Sequence, residues 1–123
     1  MHFPADYRGQ TLAIRFWADW CPFCESEMRQ LEPVYQKYRV RGLRILAVNV
    51  RQKRERVLQF TKRLGISYQT LLDPDGQVAR DYAVSALPIT FLVDDQGLLR
   101  GRILGESTPE VFEQIVLETM GSR

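Results

Sequence analysis

Histidine and cysteine are scarce in this chain: its 123 residues include one histidine and two cysteines. A structural zinc site takes four Cys or His ligands. Cys21, Cys24 and His2 are the whole supply, so a zinc centre held by this chain alone is excluded, and no cofactor is expected. His2 stands at the chain terminus and reads as an ordinary surface residue. No apolar stretch reaches the ~18 residues of a membrane-spanning helix. The first residues lack the basic-then-apolar layout of a signal peptide. Neither sign of charge dominates: 17 Lys and Arg against 15 Asp and Glu leave a net +2, too weak a field to steer nucleic acid. Tandem repeats and low-complexity tracts are absent as well. The chain as it stands is therefore expected to be soluble, with room left for a leader or membrane anchor removed ahead of Met1.

With 45% apolar residues, this length suits one compact domain, 1–123, with a full core. The apolar spacing gives a coarse element map. Residues 11–17 read as a buried strand, and 22 to about 39 as a helix with Met28, Leu31, Val34, Tyr35 and Tyr38 on one face. Gly42 ends that helix. The nearly all-apolar run 43–50 suits a central parallel strand covered on both faces. Val57, Phe60 and Leu64 mark a second helix ending near Gly65. A short strand is expected over 68–72, a turn over 73–76 and a short helix over 77–82. Strands 89–93 and 98–104 lie so close together that only antiparallel pairing is open to them. Ser107 or Thr108 can cap a last helix, with Pro109 in its first turn and Val111, Phe112, Ile115, Val116 and Met120 inward. The order β-α-β-α-β-α-β-β-α describes a mixed sheet with helices on both faces. Two basic clusters, 39–44 and 51–56, read first as solvated surface and second as a patch that meets a partner.

The chemistry concentrates at Trp20-Cys21-Pro22-Phe23-Cys24, directly after the first strand. Two thiols three positions apart at a strand-to-helix junction can close a disulfide across one helical turn and open it again. Pro22 suits the first helical position, where its missing N–H costs nothing. The helix N-terminus brings partial positive charge and unbonded N–H groups to the sulfur of Cys21. That favours the nucleophilic thiolate, drawing its pKa from ~8.5 toward ~7 or below. A static disulfide is the competing reading. So short a loop removes little chain entropy, far less than the ~3 kcal/mol of a 15-residue loop, so thiol–disulfide exchange is the stronger expectation.

Phe16-Trp17-Ala18-Asp19-Trp20-Cys21 resembles the strand-to-active-site segment of the thioredoxin fold. Val84-Ser85-Ala86-Leu87-Pro88-Ile89-Thr90-Phe91-Leu92-Val93-Asp94 resembles its cis-proline segment. Cys21 and Pro88 lie 67 positions apart, farther than in a minimal thioredoxin. The extra length, with Leu71-Leu72-Asp73-Pro74-Asp75-Gly76 inside it, is similar to the central insertion of the TlpA/ResA-like branch. Glu27 matches that branch's acidic residue, three places after the second cysteine. The resemblance implies an α/β thioredoxin fold and a thiol–disulfide oxidoreductase, periplasmic or otherwise extracytoplasmic and membrane-anchored in its full length, with a cytoplasmic place as the alternative; a monomer is expected. A reductase of exported proteins of the cytochrome c maturation type is the expected form, with the oxidase direction left open. Its partners would be a protein disulfide or dithiol substrate and an upstream, membrane-bound thiol reductant.

By the same resemblance Cys21 attacks and Cys24 resolves. Leu87–Pro88 is expected to be cis, with Pro88 beside the disulfide and the Leu87 backbone pairing with substrate. Trp20, Pro22 and Phe23 would frame the contact surface, while Trp17 faces the core. Asp19, Glu27 and Arg15 are candidates for setting thiol acidity. Four positions depart from the family pattern. Arg15 stands where a buried acid or a neutral residue is usual, and it either snorkels away or pairs with an acid such as Glu27. Arg29 takes the place of a helix-kinking proline, so a straighter helix is expected. Leu87 replaces Thr or another β-branched residue, and Ala86 replaces a frequent Gly. Two other readings compete: a non-catalytic binding or redox-sensing module, and a thiol peroxidase. The second fits poorly, because Ala18-Asp19-Trp20 lack the Pro and Thr or Ser that peroxidases place before their reactive cysteine.

Overall fold

Strand β1 (Thr11–Trp17) is apolar apart from Thr11 and Arg15, and every one of its residues is buried. It takes the centre of the sheet for that reason. In a computed structural model, which describes residues 7–21 and 24–121, β1 is followed by helix α1 (Cys24–Tyr38) and a 3₁₀ turn (Arg39–Arg41). Next come β2 (Leu43–Val50), α2 (Arg54–Leu64), β3 (Gln69–Asp73), α3 (Gln77–Asp81), β4 (Ile89–Val93), β5 (Leu99–Leu104) and α4 (Pro109–Met120). The five strands order as β3-β2-β1-β4-β5. β1 runs parallel to β2, with Thr11 opposite Leu43 and Trp17 opposite Asn49, and β2 runs parallel to β3. β4 is antiparallel to both β1 and β5. This is the expected mixed sheet of a thioredoxin fold.

The period-2 alternation of the strands sorts their side chains onto two cores. Ala13, Trp17, Ile45, Ala47 and Leu92 face α1, α2 and α4, where they meet Met28, Leu31, Phe60, Phe112 and Val116. Leu12, Ile14, Phe16, Leu46, Val48 and Phe91 face the other way and pack with Ala79 of α3. Both faces are covered, but unevenly: three longer helices on one side and the five-residue α3 on the other. A thin cover leaves room at the sheet's edge, and the space beside α3 is used below.

Several expectations shift. α1 is described from Cys24; Pro22 and Phe23, expected to open it, lie outside the described residues, as does His2. α1 runs as one helix across Pro33, which has no N–H to give the Arg29 carbonyl. β3 starts at Gln69 instead of Tyr68, because Tyr68 turns into the core and its hydroxyl donates to the Met28 carbonyl at 2.8 Å. Val111, expected inward, is 45% exposed. The buried face of α4 runs through Phe112, Val116, Thr119 and Met120, and Val111 lies to one side of it. Thr108, not Ser107, caps that helix by accepting from the Val111 N–H at 3.2 Å.

The turn after β3 is organised by one carboxylate. Asp73 is buried, and its two carboxylate oxygens accept the N–H groups of Val78 and Ala79 at 3.0 and 2.9 Å. Its carbonyl accepts from the N–H groups of Arg51 and Gly76, joining the end of β3 to the loop after β2. Asp73→Ala strands two amide donors at the start of α3, and urea denaturation should record a loss of about 1–3 kcal/mol. A midpoint equal to that of the unaltered protein would remove Asp73 from this role.

Candidate active site

Cys21 follows the loop at the C-terminal end of β1, and Cys24 is the first residue of α1. They are joined in a disulfide with Cα atoms 5.6 Å apart. Cys24 has no exposed surface, whereas Cys21 keeps 5% of its own and lines a shallow hollow with Glu25, Ser26 and Arg29. The pair is therefore asymmetric: the first cysteine keeps a little surface and the second keeps none. The Cys24 N–H donates to the Cys21 carbonyl at 3.3 Å, and the Cys21 N–H to the Ala18 carbonyl at 3.2 Å. These bonds hold both cysteines in the turn that opens the helix.

One helical turn beyond Cys24, Glu27 lies on the buried face of α1. Arg15, on the β1 face shared with Ala13 and Trp17, is 3% exposed and donates from Nη2 to Glu27 Oε1 at 2.9 Å. Of the two fates expected for Arg15, the structure gives pairing with Glu27. The other Glu27 oxygen accepts the backbone N–H of Ser107, at the approach to α4. Sequence reading missed this last contact, since Ser107 stood only as a capping candidate. The Nε of Arg15 is buried without a partner among the described residues, so the ion pair is incompletely satisfied. Nearby, burial raises the Tyr68 hydroxyl pKa, and the charge of Arg15 opposes that rise.

Asp19 lies in the loop between β1 and Cys21. Its carboxylate is bonded by Arg56 of α2, with Gln52 Nε2 donating at 2.6 Å, and its own N–H donates to Gln52 Oε1 at 2.9 Å. The Arg56 hydrogen bond, helped by Gln52 and opposed by burial, holds the Asp19 carboxyl below its ordinary value. Sequence gave no signal for Gln52 or Arg56 as its partners. Asp19 thus ties the active-site loop to α2, while Trp20, next in the chain, is 66% exposed. Trp17 is fully buried against Phe60, with ring centroids 5.1 Å apart.

The Leu87–Pro88 peptide bond is cis. Pro88 is buried, its carbonyl accepting the Gly105 N–H at 2.9 Å, and Leu87 packs against both cores. Ala86 is exposed and keeps a negative φ, so its Cβ meets solvent and needs no glycine. Trp20 and Leu87 line one groove, which brings the cysteine loop and the cis-proline loop together.

Two outcomes follow from these polar links. Arg15→Asn leaves Glu27 as an unpaired buried acid, with an expected cost of about 3–5 kcal/mol by chemical denaturation. In the reduced variant the uncompensated carboxylate disfavours the Cys24 thiolate, so its pKa rises, as pH-dependent alkylation would record. Arg15→Lys keeps the charge and most of the effect; equal titrations in all three proteins would separate Arg15 from the thiols. For Asp19 the folded value is depressed below 3.8. Its contribution to stability is therefore complete above that pH and is lost as the pH falls through the lowered value. Asp19→Asn should remove that acid-side loss in urea midpoints compared at neutral and acid pH.

Known proteins resemble this chain in sequence and in fold. The model of the AhpC/TSA family matches residues 4–102. The thiol-disulfide oxidoreductase ResA of Geobacillus thermodenitrificans is 38% identical over 113 residues, covering 92% of this chain and 65% of its own length. ResA of Bacillus subtilis is 34% identical over 108 residues, 88% of this chain and 60% of the relative. This chain thus spans just under two thirds of the length of those curated relatives. Among solved structures, a thiol:disulfide interchange protein DsbE from Chlorobium tepidum superposes with a TM-score of 0.89 at 28% identity, covering 95% of this chain and 84% of that one. StoA of Bacillus subtilis superposes with a TM-score of 0.77 at 25% identity over 87% of this chain and 82% of its own. With the family model spanning most of the chain and the cysteine pair set into a five-stranded thioredoxin sheet, this chain belongs to the AhpC/TSA family.

Proposed function

We propose that this chain is a thiol–disulfide oxidoreductase acting through Cys21 and Cys24, as a reductase of disulfides in exported proteins of the cytochrome c maturation type. The observation that carries it is the asymmetric cysteine pair, one residue keeping a little surface and one keeping none, at a helix N-terminus in a loop that shares a groove with the cis-proline loop. The names of the ResA relatives support the same reading.

In the reducing direction the Cys21 thiolate attacks one sulfur of the substrate disulfide. A Cys21–substrate bond forms, and the other substrate sulfur leaves as a thiolate that takes up a proton. The Cys24 thiolate then attacks Cys21, closes the 21–24 disulfide and releases the second substrate thiol. Two electrons and two protons pass from the protein to the substrate, and an upstream thiol donor, membrane-bound in this reading, returns them. Trp20, Pro22 and Phe23 frame the docking surface, and the Leu87 backbone ahead of Pro88 pairs with the substrate chain. Arg15, Asp19 and Glu27 set the electrostatics around the thiols. The chain works as one thioredoxin-like domain, a monomer on the extracytoplasmic side, without metal or cofactor.

The reduction potential of the 21–24 pair tests the direction. Equilibration in graded thiol buffers, followed by tryptophan fluorescence and alkylation mass shift, should give about −250 mV or lower, near the thioredoxin figure of about −270 mV. A value near about −120 mV would make the protein a disulfide donor and overturn the reductase reading. Cys21→Ser should abolish turnover while Cys24→Ser traps the mixed disulfide. Unchanged turnover in Cys21→Ser would leave the pair without a catalytic part, as a binding or sensing module requires.

A further inference from the structure

Beside the cis-proline the surface is hollowed into a groove of about 300 Å³, with Trp20, Val50, Ala79, Val84 and Leu87 among its walls. Two arginines, Arg51 and Arg80, stand in it, and among the described residues no acidic side chain lines it. Arg80 is engaged, donating to the Asp75 carbonyl at 3.0 Å and to Gln77 Oε1 at 3.2 Å. Arg51 is not. Among the described residues no hydrogen bond or ion pair reaches its guanidinium.

The backbone fixes the point from which that side chain leaves the chain. Arg51 has φ 62, a left-handed conformation that side chains with a Cβ seldom adopt, and its N–H is fixed to the Asp73 carbonyl at 2.9 Å. The side chain crosses Gly76, where an added Cβ would come within 2.5 Å of Arg51 Nε. Ala83, adjacent to Val84 in the groove, is the other non-glycine residue with positive φ among the described residues (φ 55). Strained backbone gathered around one hollow points from geometry toward use. The basic run 51–56, left unexplained by thiol chemistry, begins at this arginine.

A guanidinium beside apolar walls, with no hydrogen bond or ion pair to it among the described residues, is complementary to a carboxylate. We propose that Arg51 is a specificity-determining residue: it receives an Asp or Glu side chain that lies near the reactive cysteine of the substrate chain, while the apolar walls take a neighbouring side chain. This rests on the oxidoreductase reading, since it assigns the groove to that reaction's substrate.

The test uses two peptides alike except for Glu or Gln next to one cysteine, each supplied as its symmetrical disulfide to the reduced protein. Single-turnover release of peptide thiol is followed. The unaltered protein should reduce the Glu peptide about 2- to 5-fold faster at low ionic strength, the range expected of a partly exposed ion pair. Added salt should shrink that preference. Arg51→Asn tolerates the left-handed backbone but carries no charge, and should bring the ratio of the two rates to about one. Arg51→Lys should restore part of it, and urea midpoints of both variants check that the fold is intact. Equal rates in the unaltered protein, or a preference that survives Arg51→Asn, would overturn the proposal. Failure to reduce either peptide, with a cysteine pair that does not equilibrate with thiol buffer, would instead overturn the oxidoreductase reading and this inference with it.

Discussion

The buried pair of Arg15 and Glu27 is the constraint around which the site is assembled. It joins the central strand to the first helix, and through the Ser107 N–H it also holds the segment entering α4. Three parts of the chain that are distant in sequence are thereby fixed one helical turn from Cys24. Taking two charges out of water is costly, and the attraction between them repays this only when geometry and hydrogen bonding are good. The orphaned Nε of Arg15 shows that repayment is incomplete. A Leu or Met in place of Arg15 would pack at this position without that cost, so the ion pair is better understood as fixing how strand, helix and the approach to α4 sit together than as adding stability. The strand position fixes Arg15 firmly, since β1 is flanked on both sides by other strands.

Most of the frame could be read from residue patterns because its causes are local. The apolar runs of β1 and β2, the glycine after α1 and the close spacing of β4 and β5 each constrain the chain within a few residues. The cysteine pair was legible for the same reason. What could not be read depends on contacts between distant segments. The alternatives for Arg15 are equal in sequence, and only the packing of α1 across β1 selects pairing. Tyr68 leaves the strand because a carbonyl forty residues earlier takes its hydroxyl. Val111 is apolar in a helix that is apolar on more than one side, so periodicity alone does not choose the buried face. Gln52 escaped because glutamine carries no signal for a partner thirty-three residues away.

The two sides of the sheet serve different ends. The side covered by α1, α2 and α4 contains both cysteines, the ion pair and Trp17, so the chemistry is embedded in the larger core. The side covered only by α3 leaves the hollow in which Trp20, Leu87 and Arg51 meet. Rigid support for the sulfurs and open surface for a partner are thus divided between the faces. The cysteine loop and the cis-proline loop join them at one end of the sheet. Asp73 matters here although it is remote from the sulfurs, because it fastens both α3 and the Arg51 backbone to the end of β3.

The separation of 5.6 Å between the Cα atoms of Cys21 and Cys24 falls within the span of an ordinary disulfide. It is also close to the distance between residues on neighbouring turns of a helix surface, about 5–6 Å between their Cβ atoms. The bonded and unbonded sulfurs can therefore share one backbone. The turn that carries the disulfide is thus the opening turn of a helix, a backbone that ordinary helical hydrogen bonding supports whether or not the two sulfurs are joined.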